Sequence, residues 1–159
     1  MSTDKGAVRL GALLRDAGWT VAVAESLTAG RLQASIGAVS GASAYFLGGM
    51  TTYTIDQKVN LLGVDREHAA SVDCVSPKVA REMVMGVRKR FGADVSAATT
   101  GYAEPPKPGR DPMAHIAIDV RGQVYLRTIQ HPGRDRIQAQ QATADAAIAL
   151  LIWGLEQPR

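Results

Sequence analysis

The stretch "WTVAVAESLTAGRLQASIGAV", Trp19 to Val39, sets the frame for the rest of the chain. Its first part, "WTVAVAE" (Trp19 to Glu25), is rich in Val and too short for a helix, so it reads as a buried strand. Its last part, "TAGRLQASIGAV" (Thr28 to Val39), reads as a helix opened by a hydroxyl residue. A buried strand passing through a polar turn into a helix is the building unit of layered α/β proteins.

Upstream, Leu10, Leu13, Leu14 and Ala17 recur at helical spacing and Gly18 stops that helix. Downstream, a second strand is expected around "GMTTYT" (Gly49 to Thr54), then a short helix carrying Lys58, Val59 and Leu62. In "VSPKVAREMVMGVRKRFG" Ser76 is the N-cap and Pro77 the first helical residue, with Val79, Met83, Val87 and Phe91 on one face. "ADVSAATT" (Ala93 to Thr100) is the next strand, and the Pro- and Gly-rich "GYAEPPKPGRDP" (Gly101 to Pro112) is a loop. "MAHIAIDVRGQVYLRTIQ" alternates on both flanks of Arg121-Gly122, which predicts a β-hairpin. A last helix runs from Arg134 to about Leu155, with Ile137, Ala144, Ile148 and Leu151 on one side. Strands alternating with helices, plus one hairpin, predict a three-layer α/β/α sandwich with a mixed sheet. With 159 residues and no internal repeat, residues 1–159 are expected to form a single domain.

Composition narrows the function classes. Apolar residues make up 46% and charged residues 21%, the balance of an ordinary globular protein. The one cysteine, Cys74, permits no internal disulfide, which suits a reducing compartment; we expect a small buried residue there, near a helix start. "MSTDKGAVRL" has no apolar run to suggest a signal peptide, and "AAIALLIW" (Ala146 to Trp153) is too short to span a bilayer. A cytoplasmic, membrane-free protein is therefore expected. The net charge is +3 and the isoelectric point about 9.2. The basic residues are spread, however, and the dense patch "VRKRFG" (Val87 to Gly92) ends a helix, where cations meet the helix dipole favourably. A small anionic ligand fits this charge as well as a nucleic acid, and the nucleic-acid reading ranks below it. No Cys/His cluster is present to bind a metal.

Ligands of α/β sheets gather where strands end and loops enter helices. Three such exits are polar: "ESLTAG" (Glu25 to Gly30), "TTGYAEP" (Thr99 to Pro105), and "TTYT" leading to Lys58. The first two offer hydroxyls, and glycines (Gly30, Gly101) that let backbone N–H groups approach a ligand. Ser26 and Thr28 also suit an ordinary helix cap. Ser43 could start a short helix, "SAYFLG", and so sit beside the N–H groups an oxyanion needs. It is a poor nucleophile without a base. His68, His115 and His131 lie in a charged helical stretch, inside a strand and before a Pro-Gly turn, which leaves Lys58 as the candidate base. The plain alternative is a capping serine and a solvated lysine.

"VAVAESLTAG", "SGASAYFLGGMTTYTIDQKVNLLGV" and "VSPKVAREMVMGVRKRFGADVSAATTG", in that order and spacing, resemble the CinA carboxy-terminal domain family over nearly the whole chain. The resemblance implies an α/β serine amidohydrolase that hydrolyses the carboxamide of nicotinamide mononucleotide (NMN) to nicotinate mononucleotide and ammonia. It implies no cofactor, a pyridine nucleotide as small-molecule partner, and a homo-oligomer. It assigns the nucleophile to Ser43 in "GASAYF", the general base to Lys58 in "TYTIDQK", and an active-site tyrosine to Tyr53. Ser26 becomes a pocket hydroxyl, and Thr100 and Gly101 open the loop that grips substrate, with Thr28 and Gly30 beside it. Two departures fall on that grip. Glu104, in "GYAEPPKPGRDPMAHIAI", stands where the family has glycine, with Ala114 and His115 in place of Gly-Thr. "QAQQAT" (Gln138 to Thr143) lacks the usual arginine pair, leaving Arg134 and Arg136 a turn or so earlier. Leu27 and Ala29 replace Cys and Gly in "ESLTAG". Another amide substrate, or a non-catalytic binding module on the same scaffold, is the alternative.

Overall fold

Strand β1, Val21–Glu25, is buried at every position, which is why its sequence runs apolar instead of alternating. A computed structural model describes residues 2–159, with side chains from Lys5 onward. In it β1 lies between two parallel neighbours, β2 (Phe46–Thr51) and β3 (Val95–Tyr102). Beyond β3, the hairpin of β4 (Met113–Val120) and β5 (Gln123–Gln130) completes a five-stranded mixed sheet of order β2-β1-β3-β4-β5.

Helices cover both faces. On one lie α1 (Ser2–Ala17), α2 (Arg31–Gly37) and α6 (Arg136–Glu156). Their Leu10, Leu14, Leu32, Ile36, Ile148 and Leu151 pack on branched strand residues such as Val21, Val23, Ile116 and Ile118. Each such side chain, fully buried, contributes about 1.5–3 kcal/mol. The other face carries α3 (Ile55–Leu62) and α5 (Pro77–Phe91), with α4 (Arg66–Ser71) between them in the chain. There Met83, Val84 and Val87 meet Ala22, Ala24, Ala98 and Ala117, small residues that make room for the α5 side chains. This is the expected three-layer α/β/α arrangement.

Local signals fix several boundaries. Ser76 Oγ accepts the Val79 N–H, Pro77 opens α5, and Gly92 ends it in a left-handed conformation. Arg121 and Gly122 both have positive φ, 53° and 99°, as a two-residue type I′ hairpin requires.

Other boundaries move from their expected places. The "SAYFLG" helix does not form: after a 3-10 turn at Ala42–Ala44 the chain enters β2, because Phe46, Gly48 and Gly49 pair with Val21, Ala22 and Val23. β2 accordingly starts three residues before Gly49 and ends at Thr51. Helix α2 starts at Arg31, not at Thr28. Ile137 is 64% exposed, since α6 turns its first residues away from the sheet. Gly101 and Tyr102 belong to β3, not to a loop, because Ala114 and Met113 pair with them.

Gly101 is needed there for space. A Cβ at this position would lie 2.2 Å from the Met113 carbonyl oxygen and 2.7 Å from the Ala114 Cα. Gly101→Ala is therefore expected to part β3 from β4 and lower stability by about 1–3 kcal/mol. A urea melt would show this as a lower midpoint at constant slope; an unchanged midpoint would refute it.

Candidate active site

The carboxyl ends of β1, β2 and β3 open on one edge of the sheet, and the three polar exits converge there. Their convergence begins with Glu25, the last residue of β1, whose side chain is fully buried. Its carboxylate oxygens accept the Leu32 and Gln33 N–H groups at 2.8 and 2.9 Å. α2 has no side-chain cap at its own N-cap, Gly30, so the strand end caps the helix from below and meets its positive dipole end. Because one side chain spans β1 and α2, Ser26 to Gly30 must fold into a tight turn between them. Gly30 takes φ 98° to close it. The Ser26 N–H donates to the Thr99 carbonyl at 3.1 Å, and the Thr28 and Thr99 hydroxyls share a 2.8 Å hydrogen bond. Ser26 is thus fixed to both β1 and β3.

Lys58 enters from the β2 exit. Thr54 caps α3, and one turn into that helix the Lys58 side chain turns inward until only 1% of the residue is exposed. Its Nζ lies 2.8 Å from Ser26 Oγ, 2.8 Å from the Thr52 carbonyl and 3.0 Å from the Tyr53 carbonyl. Burial holds the Lys58 pKa below that of a free lysine, against a smaller opposing influence from Cys74. Three acceptors match the three N–H donors of an ammonium, and when the amine loses its proton two N–H donors and one lone pair remain. The carbonyls can only accept, so they take the two N–H groups. The remaining partner, the Ser26 hydroxyl, can donate to the lone pair.

Around this pair is an open cavity of about 850 Å³. Its floor holds Ser26 and Lys58, and its walls include Leu27, Cys74, Gly101 and Tyr102. Asp73 and Cys74 have positive φ, 52° and 61°, a costly conformation for residues with a Cβ. The turn they make presents the Cys74 carbonyl to Thr100 Oγ1 at 2.6 Å. Burial pushes the Cys74 thiol up from its ordinary pKa, with Lys58 opposing and Asp73 adding to the shift. A protonated thiol is a weak nucleophile, so Cys74 is poorly suited to attack a ligand in this cavity. Burial and the neighbouring Asp73 carboxylate likewise hold the Tyr102 phenol protonated.

At the mouth, Arg136 in the first turn of α6 spans the two other exits. It donates to the Tyr53 hydroxyl at 2.7 Å and to Glu104 Oε2 at 3.2 Å. Asp135 and Gln138 form a reciprocal capping box that fixes the start of this helix.

The expected site residues separate accordingly. Ser26, Tyr53, Lys58, Thr100 and Gly101 line the cavity. Thr28 lies beneath it, held by Thr99, and Gly30 shapes the turn without facing the cavity. Ser43 is elsewhere, which corrects the pairing of Ser43 with Lys58. It is exposed in the 3-10 turn before β2, whereas Lys58 follows β2. The six residues of β2 at about 3.3 Å each set the two ends roughly 20 Å apart. The hydroxyl that Lys58 meets is Ser26. Cys74, expected near a helix start as a buried residue, is half-buried on the cavity wall. Glu25 and Asp73 carried no sequence signal for their roles; Arg136 and Glu104 were visible only as departures from a pattern.

Among the described residues, no three His, Cys, Asp or Glu side chains converge as a metal site, and no helix is long and apolar enough to cross a membrane. Comparison with known proteins gives a consistent picture. The model of the CinA C-terminal domain matches residues 3–154. A putative competence-damage inducible protein of Moorella thermoacetica is 39% identical over 146 residues, 90% of this chain and 35% of that protein. A CinA-like protein of Citrifermentans bemidjiense is 45% identical over 137 residues, 82% of this chain and 33% of that one. The chain thus spans about a third of the length of these curated relatives. Solved structures match it end to end. Competence damage-inducible protein A of Klebsiella pneumoniae superposes with TM-score 0.91 at 29% identity, covering 99% of both chains. A competence/damage inducible protein of Agrobacterium tumefaciens gives 0.90 at 30% identity, covering 99% of this chain and 97% of that one.

Proposed function

The chain belongs to the CinA C-terminal domain family, and we propose that it is a serine amidohydrolase in which Ser26 is the nucleophile and Lys58 its base. The substrate class is a pyridinium carboxamide of the nicotinamide nucleotide or nucleoside type, with NMN as the reference compound. The observation that supports this best is the buried Lys58 amine, whose Nζ meets two carbonyls and the Ser26 hydroxyl, so that the lone pair of its neutral form falls to Ser26.

Neutral Lys58 takes the Ser26 proton as Oγ attacks the carboxamide carbon. The oxyanion that forms needs an N–H donor, and β3 offers one. The Thr99 carbonyl points toward the β1 exit, where it meets the Ser26 N–H. Two residues further on, strand alternation aims the Gly101 N–H the same way, past the last β1–β3 pair, Ala24 with Ala98. Protonated Lys58 then gives its proton to the leaving amine, and ammonia departs. Water attacks the acyl-serine with Lys58 again as base, releasing the acid. Tyr53 takes part through its carbonyl, which orients Lys58, while its phenol is held by Arg136.

The test is ammonia release from NMN by the purified protein across pH. Catalysis requires neutral Lys58, so the rate should rise with pH through an inflection below the lysine value near 10.5. An inflection at or above that value would exclude Lys58 as the base. Binding of NMN without ammonia release would instead favour a non-catalytic module.

A further inference from the structure

The mouth of the cavity carries a charge arrangement that bears on substrate choice. Its lining includes two carboxylates, Asp73 and Glu104, and two exposed cations, Arg136 and Lys107. Arg136 is the cation on a fixed element, the first turn of α6, and both ends of its guanidinium are in use. One nitrogen holds Glu104 at 3.2 Å and the other holds the Tyr53 hydroxyl at 2.7 Å. Lys107 sits on the exposed Pro-rich loop.

A phosphomonoester would bring nearly two negative charges to this mouth. To pair with Arg136 it would have to displace Glu104 and then remain beside that freed carboxylate. An exposed ion pair is weak by itself, so displacement costs little. The like charge left beside the phosphate is the larger obstacle. A carboxamide without a phosphate meets no such obstacle. It leaves the Glu104–Arg136–Tyr53 arrangement in place, and a positively charged pyridinium ring is attracted by Glu104 and Asp73.

We propose that Glu104 is a specificity-determining residue which, by occupying Arg136, makes the unphosphorylated pyridinium carboxamide, the nucleoside and not the nucleotide, the preferred substrate of this cavity. This rests on the amidohydrolase reading for its chemistry but not for its selectivity, which is a property of binding.

The experiment compares nicotinamide riboside with NMN. In the wild-type protein kcat/KM should favour the riboside, and the preference should shrink as salt screens Glu104. Glu104→Gln keeps the size of the side chain and removes its charge. It should shift the ratio of the two kcat/KM values toward NMN by about tenfold, through KM rather than kcat. Adding Arg136→Gln to Glu104→Gln should take back most of that shift, because the freed guanidinium is then gone. A ratio unmoved by Glu104→Gln overturns the proposal, as does a wild-type preference for NMN.

A second arm needs no turnover. Calorimetric binding of both compounds to Ser26→Ala, with and without Glu104→Gln, should show the same preference and the same shift. If no variant releases ammonia while this binding preference holds, the amidohydrolase reading fails and the role of Glu104 stands. If both compounds bind equally, or neither binds, the role of Glu104 fails whatever the fate of catalysis.

Discussion

Ser26→Ala is expected to reduce ammonia release from the best carboxamide substrate by about 10³-fold or more, while Ser43→Ala leaves it within about twofold of the parent. The size of the first effect follows from what Ser26 Oγ does. In the proposed mechanism it is the atom that forms the bond to carbon, and no second nucleophile stands ready among the described residues of the cavity floor. Cys74 lines the same cavity, but burial keeps its thiol protonated. The loss should also come without unfolding. The Ser26 side chain makes its hydrogen bond to Lys58, whereas the N–H that anchors the turn to Thr99 belongs to the backbone and survives the substitution. A urea midpoint close to the parent's, together with abolished turnover, is the expected pair of results. The second effect is small because Ser43 is exposed and separated from Lys58 by the length of β2. Equal losses in both variants would mean that the two ends of β2 act in one site, which the fold of a single chain does not allow.

That contrast also marks where the sequence is informative and where it is not. Ser43 and Lys58 share one short segment, and nearness along a chain is easily taken for nearness in space. The intervening residues read as a short helix before a late strand. In the fold Phe46 to Thr51 extend beside β1 and carry the two residues apart. The hydroxyl that Lys58 contacts was accessible to a topological argument. Parallel neighbours bring their carboxyl ends together, so a residue just after β1 must lie near residues just after β2. Ser26 and Lys58, thirty-two positions apart, meet for that reason. The α5 cap at Ser76 and the turn at Arg121-Gly122 were legible because their signals are local. Glu25 was not. A carboxylate ending an apolar strand gives no hint that it caps the next helix, because that depends on how α2 is set above the sheet. The pairing of Glu104 with Arg136, thirty-two residues apart, is of the same kind. Each residue was conspicuous by itself, and only packing of α6 beside the β3 exit makes them partners.

Lys58→Met carries the other large expectation, and it separates catalysis from stability. Met nearly conserves the buried volume but provides no base, so turnover should fall by about 10²–10⁴-fold. Stability should change in a pH-dependent way. In the unfolded chain Lys58 titrates near 10.5, and in the fold burial lowers that value. Between the two values the unfolded state binds more protons, so wild-type stability rises with pH there, with a limiting slope of about 1.4 kcal/mol per pH unit. Below the folded value both states are protonated and the penalty for a buried ammonium is present in full. The variant has nothing to titrate at this position, so this contribution to the slope disappears. It has a cost of its own, because the Thr52 and Tyr53 carbonyls lose their donor, about 1–3 kcal/mol for each group left unpaired. Wild type minus variant should therefore grow more positive as pH is raised from the folded pKa toward 10.5, and stay level below it. Urea midpoints measured in parallel across that range give the difference directly. A difference independent of pH would mean that Lys58 keeps an ordinary pKa in the fold. It would then be an ammonium at neutral pH, unable to take the Ser26 proton.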